Sequence, residues 1–253
     1  RGLMPEYDYI YLGDSARCPY GPRSFEVVYE FTLQAVSKLF ELGCPLVILA
    51  CNTASAKALR TIQQINLPVI DATRRVLGVI RPTAECIGEI TRSRHVGILA
   101  TAGTIKSESY LLEIHKLSPD IVVTGEACPM WVSLVENNEY QSEGADYFVK
   151  QHINRLLDKD PMIDTIILGC THYPLLLDKI RQFTPGHIRI IAQGEYVARS
   201  LQDYLNRHPE MDARCEKGGK CRFLTTESES KFEESASIFL GRQDIKVESI
   251  ALE

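Results

Sequence analysis

The sequence predicts an α/β protein built as two similar doubly wound α/β domains, with its site in the cleft between them. Three observations predict this: short runs rich in Ile, Val and Leu recur along the chain, helix-length amphipathic segments separate them, and VILACNT (Val47 to Thr53) is echoed by IILGCTH (Ile166 to His172). In both echoing units an apolar strand, a small residue and a cysteine give way to polar residues and a helical pattern, so each half offers the same kind of strand-to-helix junction.

Strands are expected at YDYIYLG, PLVILA, LPVID, HVGILAT, IVVTGEA, DTIILGC and HIRIIAQ. Most of these runs are continuous rather than alternating, as strands of a parallel sheet covered on both faces should be. Helices are expected over SFEVVYEFTLQAVSKLFELG, with Gly43 as its stop, and over TASAKALRTIQQ and SESYLLEIHKLS, where apolar residues recur at helical spacing. The basic cluster RCEKGGKCR (Arg214 to Arg222) contains two glycines and reads as a solvated turn. No low-complexity linker separates the two halves.

Composition excludes several functions. The 253 residues are 45% hydrophobic and 24% charged, enough for a substantial core, and a net charge of -5 gives no electrostatic reason to bind nucleic acid or anionic lipid. No apolar run approaches the roughly 20 residues that span a bilayer, and the first residues lack the features of a signal peptide, so a cytoplasmic protein is expected. The eight cysteines are scattered and include no CxxC pair, which argues against a disulfide framework and against a zinc site; no metal is expected. No phosphate-cradling glycine motif with a lysine is present either, so nothing in the sequence demands a cofactor.

Two of those cysteines stand apart by context. In open parallel sheets ligands bind beyond the carboxyl ends of the strands, and Cys51 and Cys170 both occupy that position. Asn52, Thr53 and Ser55 after the first, and Thr171 and Pro174 after the second, suit the start of a helix, whose free N–H groups favour a thiolate or a substrate carboxylate. A thiol ionised in part near neutral pH is a competent base. Inverting an α-carbon needs one group to remove a proton from one face and another to deliver one to the opposite face, and two facing cysteines supply both. Taken singly, each cysteine reads first as a small buried hydrophobe and the polar neighbours as ordinary caps; only the pair in matching contexts brings the two readings level.

The runs GDSARCPYG (Gly13 to Gly21), ACNTASA (Ala50 to Ala56) and GCTHYPLL (Gly169 to Leu176) together resemble the glutamate racemases, and FLTTESESKFEESASIFLGR (Phe223 to Arg242) is similar to that family's C-terminal strand and helix. The resemblance implies Cys51 and Cys170 as the catalytic acid/base pair. It implies substrate contacts at Tyr20, Gly21, Asn52, Thr53, Thr171 and His172, and it places Asp14, Thr104 and Glu136 near the site. It further implies a discontinuous first domain (1–92 plus 196–253), a second domain (93–195), racemisation of glutamate without pyridoxal phosphate, metal or nucleotide, a role in peptidoglycan synthesis, and a homodimer. His172, hydrogen-bonded, is expected to tune Cys170.

The chain departs from that pattern at three places. The family begins with a strand ending in an aspartate, serine and glycine motif; here Arg1 to Pro5 reads as the tail of the helix that would follow, so the chain as written is expected to be poorly stable or inactive, although the natural protein is expected to be an enzyme. IIAQGE around Gly194 stands where the family more often has an aspartate and serine before the glycine, and VIDATRR around Asp71 is also unusual. Aspartate racemase or another member of the wider superfamily is the nearest rival reading, although GCTHYP favours glutamate. A non-catalytic binding protein that keeps the cleft, or an inactive fragment, is the rival from another class.

Overall fold

The computed structural model describes residues 1–240 and 245–252. Nine strands run through it: β1 (Tyr9–Gly13), β2 (Leu46–Leu49), β3 (Arg75–Gly78), β4 (His95–Ala100), β5 (Val122–Ala127), β6 (Thr165–Gly169), β7 (Arg189–Ala192), β8 (Cys221–Thr225) and β9 (Val247–Ser249). Every strand pairing is parallel, and the fold is two α/β domains, as the alternation of apolar runs and helices predicts. One sheet has the order β5-β4-β6-β7, and β1-β8-β9 and β2-β3 form two further sheets. None of the described helices is long and apolar enough to cross a membrane.

The four-stranded sheet shows why continuous apolar runs become central strands. All five residues of β6 are buried, and its register sets Ile167 against Ile98 and Leu168 against Leu99. Helix Glu143–Lys159 covers one face. Ser142 caps it by accepting from the Ala145 N–H, and Ala145, Val149, His152, Ile153 and Leu156 form its buried stripe. Each large aliphatic side chain in that stripe contributes about 1.5–3 kcal/mol by leaving water. Trp131, Tyr173 and Cys170 share this core, while Ile80, Ile87, Ile114 and Tyr110 fill the opposite face.

Around the other sheets, helix Phe25–Glu41 is capped by Ser24 and ends where Gly43 takes φ +91°, a backbone that glycine adopts without a steric cost. Its buried residues Val28, Val36 and Phe40 meet Val47, Leu49 and Val76 of β2 and β3. The expected helix at Thr53 begins one residue earlier, at Asn52, and runs on through a π-helical segment, Ile62–Asn66.

Three expectations fail. LPVID is a helix (Leu67–Ile70), because Pro68 sits in its first turn and the chain continues from the preceding helix. Only Leu67 is buried there, whereas Val69 is 85% exposed, which no strand covered on both faces could be. The strand is instead β3, where only Val76 is deeply buried and Arg75 is exposed, so its apolar signal was weak. Arg1 to Pro5 forms a turn closed by the Met4 N–H on Arg1 O at 3.2 Å rather than a helix tail, with Met4 packed on Leu205 and Met211. RCEKGGKCR is a turn only as far as Lys220: the Asp8 carboxylate accepts from the Gly218 and Lys220 N–H groups at 2.9 Å, and Cys221 then opens β8. The C-terminal strand and helix appear as β8 and helix Glu229–Leu240; the last two residues of that stretch, 241 and 242, lie outside the described residues.

Candidate active site

Cys51 stands two residues beyond the end of β2, in extended conformation, as the residue before helix Asn52–Lys57. Asn52 to Ser55 are all buried. Burial pushes the Cys51 thiol above its ordinary value, opposed by the Ala54 and Thr53 N–H groups and the Thr53 hydroxyl. Cys170 directly follows β6, three residues ahead of the helical turn Tyr173–Leu176, and is 7% exposed. Its thiol is pushed up to about 12, first by burial; the His172 and Tyr173 N–H groups oppose this, and the neighbouring thiols Cys51 and Cys18 add to it. Both shifts run against the expected partial ionisation near neutral pH. Desolvation outweighs the N–H groups at both helix starts.

His172 links Cys170 to a carboxylate. Its Nδ1 lies 3.8 Å from Cys170 Sγ and its Nε2 lies 2.5 Å from Glu136 Oε1, at the end of helix Pro129–Glu136. The hydrogen bond from His172 is the main reason the Glu136 carboxyl is held below the usual carboxylate range. With Nε2–H donating to Glu136, Nδ1 is the acceptor, aimed at the thiol. The Cys18 thiol also reaches Glu136 Oε1, at 3.9 Å, and burial, with the Glu136 charge, pushes it up to about 12. Behind Cys170, Tyr173 donates to Cys128 O at 3.1 Å and packs its ring 4.8 Å from that of Trp131.

The remaining expected residues fall into two groups. Asp14 accepts from Arg17 Nε through both oxygens and from the Thr226 hydroxyl at 2.9 Å, and it takes a short hydrogen bond from the Tyr20 hydroxyl. Asp14 thus props the turn carrying Tyr20 and Gly21, and Gly21 in turn rests on the Thr101 side chain. Thr53, Thr101 and Thr104 form a buried triangle of hydroxyls with edges of 3.0, 3.1 and 3.4 Å. The side chain of Asn52 runs back to Tyr110 and Gln193, and Thr171 is exposed beside Cys170.

Sequence reasoning missed four residues here: Cys18, Thr101, Tyr110 and Gln193. Cys18 and Thr101 lie within runs already singled out, and Gln193 ends the HIRIIAQ run at a strand-to-helix junction like those of the cysteines. Nothing in the sequence marks Tyr110. All eight cysteines are free, and among the described residues no group of three or more His, Cys, Asp or Glu is placed to hold a metal. Two surface depressions, of about 280 and 380 Å³, flank Ser37 and Glu41 and touch neither Cys51 nor Cys170.

This arrangement has close counterparts. The profile of the family described as Asp/Glu/Hydantoin racemase matches residues 1–201. A glutamate racemase from Bacillus cereus is 38% identical over 251 residues, covering 99% of this chain and 90% of that protein. Among solved structures, a glutamate racemase from Bacillus anthracis superposes with a TM-score of 0.89 at 34% identity, over 99% of this chain and 90% of its own. A glutamate racemase from Francisella tularensis, in complex with D-glutamate, superposes with a TM-score of 0.87 at 29% identity, over 100% of this chain and 90% of its own. With sequence and fold agreeing over nearly its whole length, the chain belongs to the Asp/Glu/hydantoin racemase family of isomerases, in its glutamate racemase branch.

Proposed function

We propose that the protein interconverts L- and D-glutamate, with Cys51 and Cys170 as opposed proton-transfer groups and the organic chemistry carried by the two thiols alone. The observation that carries this reading is the pair itself: two cysteines, each set just beyond a parallel strand and ahead of a helical turn, close enough for the charge of one to raise the pKa of the other. The complex of the Francisella tularensis relative with D-glutamate supports the choice of substrate.

The proton balance is simple. One thiol enters as thiolate and the other as thiol. The thiolate takes the α-proton from one face of the substrate, leaving the electron pair on the α-carbon, and the thiol returns a proton to the opposite face. The pair then stands inverted, ready for the other enantiomer. Both thiols are weak acids here, so each thiolate is a strong base, and the N–H groups of Thr53 and Ala54 at one and of His172 and Tyr173 at the other hold the charge while it exists. His172, with Nδ1 facing Cys170 and Nε2 on Glu136, is the group placed to take the Cys170 proton. Tyr20, Gly21, Asn52, Thr53, Thr171 and His172 hold the substrate, and Asp14, Thr104 and Glu136 support them.

The domain limits that go with this reading are 1–92 plus 196–253 and 93–195; the confinement of β4 to β7 between residues 95 and 192 supports them. A homodimer in the cytoplasm, supplying D-glutamate for peptidoglycan, completes it. The test is circular dichroism of L-glutamate, D-glutamate, L-aspartate and a hydantoin after incubation with the protein and with Cys51→Ser and Cys170→Ser. Loss of signal from both glutamate enantiomers, abolished by either substitution, is the expected outcome. Racemisation surviving either substitution removes the two-thiol mechanism, and turnover of aspartate or hydantoin in place of glutamate removes the substrate.

A further inference from the structure

A closed ring of hydrogen bonds holds the residue next to Cys51. Asn52 Nδ2 donates to Gln193 Oε1 at 2.8 Å, Gln193 Nε2 donates to the Tyr110 hydroxyl at 2.6 Å, and that hydroxyl donates to Asn52 Oδ1 at 2.6 Å. The three residues are 2%, 3% and 8% exposed in the order Asn52, Tyr110, Gln193. Gln193 Nε2 also reaches Val79 O at 3.1 Å and the hydroxyl of Thr83, a fully buried residue, at 3.0 Å. Flipping one amide alone would set donor against donor or acceptor against acceptor within the ring, and flipping both would set Gln193 Oε1 against Val79 O, so the ring and that carbonyl together admit a single orientation of both amides and of the tyrosine hydroxyl.

The ring also spans the fold. Asn52 opens the helix that begins at Cys51 after β2, while Gln193 follows β7 of the four-stranded sheet and Tyr110 stands on helix Ser109–Leu117. We infer that Gln193 and Tyr110 are positioning residues, which through this ring fix the turn carrying Cys51 and Asn52 in the orientation the reaction needs. The inference rests on the proposed role of Cys51. Gln193 lies in the IIAQGE run, and the ring gives it a purpose beyond filling space.

Thr83 supplies a matched control, because Thr83→Val removes an equally buried partner of Gln193 while leaving the ring closed. Tyr110→Phe and Gln193→Leu open the ring. Both should raise the KM for glutamate about tenfold, the worth of one buried hydrogen bond, with a smaller fall in kcat. Both should also speed alkylation of Cys51 by iodoacetamide, read residue by residue by mass spectrometry. The double variant should be no worse in KM than the worse single one, since one ring is lost only once. Thr83→Val should lower Tm by a similar amount with KM and Cys51 alkylation unchanged. If the ring-opening variants lose stability as Thr83→Val does and leave both readouts at wild-type values, the positioning role is overturned. If the unsubstituted protein racemises no glutamate but alkylation still separates the ring variants from Thr83→Val, the proposed activity fails and the positioning of Cys51 stands. If alkylation does not separate them either, both fail.

Discussion

Replacing Gly103 by alanine perturbs the place where the Tyr20–Gly21 turn meets the Thr101 loop. A Cβ on residue 103 would stand 2.6 Å from Gly21 O and 2.8 and 2.9 Å from Lys57 Nζ and Cε. Carbon and carbonyl oxygen settle at about 3.3 Å or more, so the contact requires roughly 0.7 Å of movement. Lys57 cannot simply swing away at no cost, because its Nζ donates to Arg23 O at 2.5 Å, in the same turn. The Gly21 backbone therefore has to shift. Overpacking of this kind costs about 1–3 kcal/mol, a Tm lower by roughly 2–12 °C for a chain of this size. Gly21 is one of the proposed substrate contacts, and displacements approaching 1 Å cost up to about a hundredfold, so kcat/KM should fall some tens of fold. Gly186→Ala is the control, as its Cβ would meet nothing within 4 Å. The assay is the initial rate of loss of L-glutamate ellipticity beside a thermal melt of each variant. A Gly103→Ala protein with wild-type kcat/KM would refute the claim that the two loops are in contact at the site.

Two further outcomes follow from the thiols and from His172. Cys18 and Cys170 are pushed up to about 12 from an ordinary value of 9.0, so above pH 9 the folded chain retains protons that the unfolded chain has lost. Stability should therefore be fully present below pH 9 and decline towards pH 12, by up to roughly 1.4 kcal/mol per pH unit for the buried Cys170 thiol; urea midpoints flat across this range would contradict it. Glu136→Gln removes the charge that holds His172 while altering an exposed pair worth little to folding, so Tm should barely move and kcat should fall roughly tenfold or more. An unchanged kcat would detach Glu136 from the chemistry.

The parallel sheets and the two cysteine junctions were legible because they rest on strong local signals. Ile166 to Leu168 form an unbroken apolar run, and such a run followed by a small residue and a polar cap has few alternatives to a buried strand feeding a helix. β3 was not legible, since Arg75 and the short RVLG run gave little apolar signal and LPVID beside it gave more. The ionisation of the thiols was not legible for a related reason. A sequence reveals the N–H groups at a helix start, but the desolvation that outweighs them is set by neighbours distant in the chain. The Asn52–Tyr110–Gln193 ring was hidden in the same way, because its members lie up to 141 residues apart and none is unusual alone.

The triangle of Thr53, Thr101 and Thr104 has a consequence for the proposed turnover cycle. Each hydroxyl both gives and takes one proton and turns freely about its C–O bond, so the three can circulate their hydrogens in either sense without any heavy atom moving. When Cys51 is a thiolate, the Thr53 hydroxyl can point at sulfur while Thr101 and Thr104 satisfy its oxygen; when Cys51 is a thiol, Thr53 can turn back into the triangle. Solvent around a surface thiol would reorganise whole water molecules to follow that change of charge. In the proposed two-thiol cycle these three hydroxyls follow the change of charge at Cys51 by turning their hydrogens, with no heavy atom moved.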